Sequence, residues 1–197
     1  MCDIIASLIG IILLTPVWII VAAMVRLHDG GPAFFKQERV GLDGTTFTMF
    51  KFRTMRVDAE AMKASLVEAN EADSSAGNSI MFKMTNDPRI TRIGAFLRKT
   101  SIDELPQLFN VLRGDMSLVG PRPPLPSEVA QYEPRVMGKF AVRPGITGLW
   151  QISGRSNLSW DETVHLDLSY AQHRSLTLDA WIVLQTIPAL LRHEGAY

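Results

Sequence analysis

The longest apolar run lies near the start of the chain, where Ile4 to Val25 reads IIASLIGIILLTPVWIIVAAMV without a charged residue over 22 positions. That exceeds the roughly 18 uncharged residues that mark a membrane helix. No basic cluster precedes the run and no small-x-small cleavage site follows it, so the pattern predicts a retained helix rather than a leader. Thr15-Pro16 falls at its centre, where proline removes a backbone hydrogen bond and crowds the carbonyl four residues back, so a kink is expected. The Thr15 hydroxyl is a candidate partner for the freed carbonyl. Straight, a helix of this length rises about 30 Å and crosses a bilayer. Sharply bent, it returns to the face it came from. Arg26 favours a cytoplasmic C-terminal flank, but only Asp3 and the terminal amine precede the run, so the pattern leaves both topologies open.

Beyond Gly30-Gly31-Pro32 the period shortens to two. AFFKQERVGLDGTTFTMFKFRTM contains two β-prone runs around Gly41-Leu42-Asp43-Gly44, which predicts a hairpin. Alternation puts Phe47, Met49, Lys51 and Arg53 on one face, and the two cations suit either a solvated strand end or an anion site. Asp58 is placed to cap the polar helix AEAMKASLVEANEA, with Met62, Leu66 and Ala69 as a thin apolar stripe, and DSSAGNS reads as a loop. NDPRITRIGAFLRKT predicts a helix with Asp87 as N-cap, Pro88 in the first position, and Ile90, Ile93 and Leu97 facing inward. Leu105, Leu108, Phe109 and Leu112 form the next stripe, closed by Gly114 as a left-handed cap. In the last third, Pro144-Gly145 marks a turn and ITGLWQISGR a short strand. Ser159-Trp160-Asp161-Glu162 is a capping box opening a helix through Ala171. Leu178 to Leu191 is too short to span and suits a core or interfacial helix.

Composition narrows the chemistry. Twenty basic against twenty acidic residues among 197 give no net charge and no basic footprint for nucleic acid. Cys2 is the only cysteine, which excludes an internal disulfide and a thiolate metal cluster. The length suits one domain with an appendage.

The candidate chemistry centres on TSIDELPQLFNVLRGDMSLVGPRPP, where Asp103 and Glu104 stand side by side. Ser101-x-x-Glu104 matches a capping box, which gives the pair a purely structural reading. Pro106 conflicts with that register, whereas Asp103 as the cap would tolerate it. Either way the carboxylates stand where a helix begins, a place that also attracts phosphate. Arg89, Arg92, Arg98 and Lys99 precede the pair. Arg122, held between prolines in Gly120-Pro121-Arg122-Pro123-Pro124, has a restricted backbone suited to aiming a guanidinium at phosphate or carboxylate.

KFRTM, DPRITRIGAFLRKTSIDELPQLFNVLRGDMSLVGPRP and RPGITGLWQISGR together resemble the bacterial sugar transferase family, the monotopic phosphoglycosyl transferases, over nearly the whole chain. The resemblance implies an enzyme that transfers a sugar 1-phosphate from a UDP-sugar to polyprenyl (undecaprenyl) phosphate on the cytoplasmic face of the bacterial inner membrane. UMP is released, and exopolysaccharide or other glycoconjugate synthesis begins. It implies Mg²⁺ as cofactor, Asp103 as the nucleophile that forms a phosphosugar-aspartyl intermediate, and Glu104 as a catalytic partner and metal ligand. Offsetting charge repulsion between Asp103 and the phosphates falls first to Arg98 and Arg122. Lys51, Arg53 and Arg155 match other motif positions and become candidates for donor binding. The implied fold is α/β: a mostly helical catalytic domain with a small β-hairpin over residues 28–197, interfacial helices, and a re-entrant membrane helix over 1–27 broken at Thr15-Pro16. One departure is the absence of basic residues ahead of the apolar helix. The ending Gly195-Ala196-Tyr197 resembles the larger exopolysaccharide-initiating members. Membrane lipid is a further partner, nucleic acid is not expected, and a homodimer stays open. Two rivals remain at this level: a membrane-bound UDP-sugar hydrolase, and a non-catalytic scaffold in which the carboxylates only cap a helix.

Overall fold

The computed structural model describes residues 2–63, 84, 87–154 and 158–192. The apolar run forms α1, Cys2–Asp29, a single helix with Pro16 inside it rather than an interruption at Thr15-Pro16. The Thr15 hydroxyl donates to the Ile11 carbonyl at 2.8 Å, one residue before the Ile12 carbonyl that Pro16 deprives of its donor. The hydroxyl therefore back-bonds its own turn and does not rescue the orphan. α1 is long and apolar enough to cross a membrane. Its apolar positions divide in two: Ile5, Ile9, Ile12, Leu13 and Ile19 are exposed, while Trp18, Val21 and Val25 enter the core with Phe52, Leu97 and Leu108.

The hairpin forms as the alternation predicts. β1, Phe34–Val40, pairs antiparallel with β2, Thr46–Phe52, from Phe34↔Phe52 to Val40↔Thr46. The connection is a 3₁₀ turn at Leu42–Gly44, where Asp43 and Gly44 take positive φ. α2 is described over Ala59–Lys63; the remainder of the expected polar helix and the DSSAGNS loop lie outside the described residues.

α3, Arg92–Thr100, starts later than the Asp87-Pro88 signal suggests. Thr91 is its N-cap, accepting from the Gly94 amide at 2.9 Å. Asp87 is instead consumed by Arg89, receiving its backbone amide and its guanidinium. Ile90 then bridges Met55 as extended chain, so no helix can begin before Thr91. Gly94 is required by close approach, because a Cβ there would sit 1.9 Å from the Thr54 carbonyl oxygen.

α4, Gln107–Arg113, ends at Gly114 with φ 82, the left-handed cap expected for that glycine. β3, Ser117–Val119, runs parallel to β4, Gly145–Thr147, a second two-stranded sheet that the sequence pattern foresaw only in part. α5 is the single turn Pro126–Val129, followed by 3₁₀ structure at Pro134–Ala141. The expected strand through ITGLWQISGR stops at Thr147, and Leu149–Ile152 is α6. Gly148 lies against the Gly120 carbonyl, 2.2 Å from where its Cβ would stand. α7, Trp160–His173, opens with the predicted capping box: Ser159 accepts from the Glu162 amide, and the Glu162 carboxylate accepts from the Ser159 amide at 2.8 Å. α8, Leu176–Arg192, buries Ile182 and exposes Leu176, Trp181, Leu184 and Ile187.

Asn110, fully buried on α4, joins the two halves of the body. Its side-chain amide donates to the Thr48 carbonyl at 2.7 Å and accepts from the Phe50 amide at 3.0 Å, as the peptide of a neighbouring strand would. A second donation goes to Asp115 at 3.1 Å. Asn110→Ala removes the partners of the half-buried Phe50 amide and of the Thr48 carbonyl, so we expect a loss of about 1–3 kcal/mol. Urea unfolding of the purified variant measures it.

Candidate active site

Asp103 and Glu104 occupy a 3₁₀ turn, Ile102–Glu104, wedged between α3 and α4. Neither capping register survives. Ser101 takes φ 54 and terminates α3, its amide donating to the Arg98 and Leu97 carbonyls, and its hydroxyl caps nothing. Pro106 precedes α4 at the cap position, where its missing amide costs no helical bond, and no side chain caps α4. A left-handed residue followed by a tight turn is what frees both carboxylates from capping duty.

The turn faces the hairpin. Lys51 donates to Glu104 Oε1 at 2.7 Å, both side chains being partly exposed. Lys51 shares its strand face with Phe47 and Met49 and, through the register, with Arg39 opposite Phe47. Asp103 is only 7% exposed. Burial pushes its carboxyl up to about 6; Lys51 pulls it down, the Glu104 charge adds to the rise, and Arg98 opposes it. Arg98 sits at the C-terminal end of α3, its Nε donating to Thr54 Oγ1 at 2.9 Å. Burial lowers its pKa, and the nearby Asp103 charge works the other way. Thr54 is thus a double anchor: its carbonyl receives the Thr91 amide at 3.0 Å and its hydroxyl receives Arg98.

A second charged group flanks the first. The Pro-rich segment 120–124 is bonded from both sides: the Gly145 amide donates to Pro121, Arg39 Nη1 to Pro123 and the Val40 amide to Pro124. Arg122 is paired through both terminal nitrogens with Glu128, at 3.0 and 3.3 Å. Arg39 is buried, with its pKa driven down to about 10 by burial first and then by Arg122, while Glu128 and Glu104 oppose the fall. Arg39 therefore lies in electrostatic reach of both groups. Its type and position carried no signal in the sequence beyond the strand face it shares with Lys51.

Of the other expected site residues, one is committed to a different partner and one is not described. Arg53 follows the end of β2, and its guanidinium takes both Asp29 oxygens, with further bonds to the Pro32 and Met55 carbonyls. At 7% exposure it ties the end of α1 to the hairpin and departs from the face that carries Lys51. Arg155 lies outside the described residues. Among the described residues no group of three metal-ligating side chains gathers. Two adjacent carboxylates are nonetheless a donor set suited to magnesium, which keeps several waters and takes its remaining ligands from substrate phosphates.

A family model described as bacterial sugar transferase matches residues 1–193. The galactosyl transferase CpsE of Streptococcus agalactiae serotype III is 48% identical over 195 residues, covering 98% of this chain and 42% of CpsE. The undecaprenyl-phosphate galactose phosphotransferase of Salmonella typhimurium is 44% identical, over 99% of this chain and 40% of its own. The exopolysaccharide production protein ExoY of Rhizobium meliloti is 40% identical, over 99% of this chain and 86% of its own. The chain thus spans about two fifths of CpsE and of the Salmonella protein, and most of ExoY.

The raised Asp103 pKa has a defined sign. Below about pH 3 the carboxyl is largely neutral in both folded and unfolded chains. Between about pH 4 and 6 the unfolded chain ionises first, so the folded state loses stability as pH rises and stays lower above that window. Asp103→Asn, neutral throughout, should match the wild type near pH 3 and exceed it at pH 8 by on the order of 2–3 kcal/mol. Unfolding curves at both pH values in metal-free buffer measure the difference.

Proposed function

Because the chain belongs to the bacterial sugar transferase family, we propose that it moves a sugar 1-phosphate from a UDP-sugar to polyprenyl phosphate by way of Asp103. The observation that carries this reading is the pairing of a nearly buried carboxylate with a second, lysine-bound carboxylate in a turn whose geometry needs neither as a cap. The Salmonella relative is named for galactose phosphate transfer with undecaprenyl phosphate, and the same acceptor class is proposed for this chain.

In the first step an Asp103 oxygen attacks the phosphorus that carries the sugar. The bond from that phosphorus to the bridging oxygen breaks, and its electron pair leaves on UMP. In the second step an oxygen of polyprenyl phosphate attacks the same phosphorus and returns the Asp103 carboxylate. The chain's residues meet the needs of both steps. Burial strips water from Asp103, which strengthens every charge interaction around it. Arg98, steadied by Thr54, and Lys51 offset the approach of a multiply charged donor to an anion. Glu104, with Asp103 beside it, would hold Mg²⁺, which when bound neutralises charge on the donor diphosphate. Arg122 supplies a further guanidinium for phosphate. Arg53 is proposed to act on the site only through the hairpin it anchors.

A placement of both ends of α1 on one side of the membrane is supported by what holds them. Asp3 accepts from the Ser117 hydroxyl at 2.8 Å on β3, and Asp29 accepts from Arg53 beyond β2. Both ends thus bind one body, whereas a span would put about 30 Å of hydrocarbon between them. We place that body on the cytoplasmic face of the inner membrane, with the exposed apolar side of α8 at the lipid interface.

A screen of UDP-sugars with Mg²⁺ and undecaprenyl phosphate should find a donor that releases UMP, and Asp103→Asn should cut that rate on the order of 10³-fold or more. Sugar phosphate released without lipid acceptor would make the protein a hydrolase, and full turnover by the variant would remove Asp103 as the nucleophile. Cys2, exposed on α1 and the only cysteine in the chain, should react with a membrane-impermeant maleimide from the side on which the body lies. Labelling from the opposite side would establish a span.

A further inference from the structure

The Pro-rich segment presents Arg122 in an unusual way. Its backbone is bonded from two directions, by Arg39 and Val40 of β1 and by Gly145 of β4, so Pro121, Pro123 and Pro124 have no freedom to shift the arginine. The side chain is then gripped at its far end by Glu128, which is 4% exposed. Glu128 Oε2 also accepts from the Leu125 amide at 2.8 Å, so the carboxylate is fixed by the start of α5 as well as by the guanidinium. A guanidinium carries five N–H donors. Glu128 takes one from each terminal nitrogen, at 3.0 and 3.3 Å, and leaves the Nε donor and the outer terminal donors of a side chain that is 25% exposed. An arginine pinned at both ends, a quarter exposed and with donors to spare, is prepared for a fixed anion.

We propose that Glu128 is a positioning residue for phosphate recognition: it orients the Arg122 guanidinium so that its remaining donors meet a phosphoryl oxygen of the substrate. This rests on the transferase reading above and adds a residue to it. Two substrates carry that oxygen, the diphosphate of the donor and the phosphate of the lipid acceptor, and Arg122 can serve one of them. Without Glu128 the arginine keeps its charge and loses its aim. Glutamine at 128 would turn an N–H₂ group toward one of the guanidinium nitrogens, replacing an acceptor by a donor. The cost appears in binding the phosphate and leaves untouched the departure of UMP from the phosphorus that Asp103 attacks.

The test is a double-mutant cycle in the full-length protein, with KM and kcat measured separately for the UDP-sugar and for undecaprenyl phosphate. Glu128→Gln should raise KM about tenfold for one of the two substrates, and the substrate affected says which phosphate Arg122 meets. Arg122→Ala should raise the same KM, and the double variant should be no worse than Arg122→Ala alone. Leu125→Pro removes one of the bonds that fix Glu128 and keeps the Arg122 pair, so it should raise the same KM by less than Glu128→Gln does. Additive losses, or an unchanged KM in Glu128→Gln, would each overturn the proposal. Should Glu128→Gln melt below the assay temperature, Glu128→Asp keeps the charge with a shorter reach and carries the same cycle. A wild type that releases no UMP from any donor would refute the transferase reading itself, a result distinct from a working enzyme indifferent to Glu128.

Discussion

One buried amide sets the distances on which the site depends. Asn110 belongs to the helix that follows the carboxylate turn, and its hydrogen bonds go to the peptides of Thr48 and Phe50 on the strand that carries Lys51. Moving either partner would strand the fully buried Asn110 amide without partners, so α4 and β2 are held in one register. The 2.7 Å contact between Lys51 and Glu104 is a consequence of that register. Hydrophobic packing around Met49, Val111 and Met116 fills the same junction but does not choose among neighbouring registers.

The cations around the turn and the Pro-rich segment follow one rule: each is itself held by a neutral or oppositely charged anchor. Arg98 rests on the Thr54 hydroxyl, Lys51 on Glu104, Arg122 on Glu128, and Arg39 on the Pro123 carbonyl and the Gln37 side chain. Partly buried cations with settled orientations act on an incoming anion without first reorganising. The same burial raises the Asp103 pKa, because the environment that strengthens attraction to a cation also disfavours an isolated anion. Stability at neutral pH and readiness for phosphate are in opposition at this residue.

Much of the scaffold was legible in local pattern. The apolar helix, the hairpin with its positive-φ turn, the Gly114 cap and the Ser159 capping box all formed where period and cap chemistry put them. The failures share a cause. Asp87 and Ser101 have the composition of helix caps, yet Arg89 takes the first and a left-handed backbone disposes of the second. Cap signals are side-chain preferences worth about 1 kcal/mol, and a bidentate ion pair or a tightly packed turn outweighs them. Alternation likewise put Arg53 beside Lys51, but β2 ends at Phe52, and the next residue is free to turn toward Asp29.

The sequence by itself determined the elements, the neutrality of the chain, the adjacency of Asp103 and Glu104, and the family motifs that contain them. Tertiary structure alone decided which cation meets which carboxylate, and what Asn110, Arg39 and Glu128 touch. Periodicity and caps act over a few residues and are written in consecutive letters. Lys51 meets Glu104 across 53 positions, Asn110 meets Thr48 across 62, and Arg39 meets Pro123 across 84. Such partners are selected by how helices and strands pack and by the cost of leaving a buried polar group unpaired, and no local pattern records that choice.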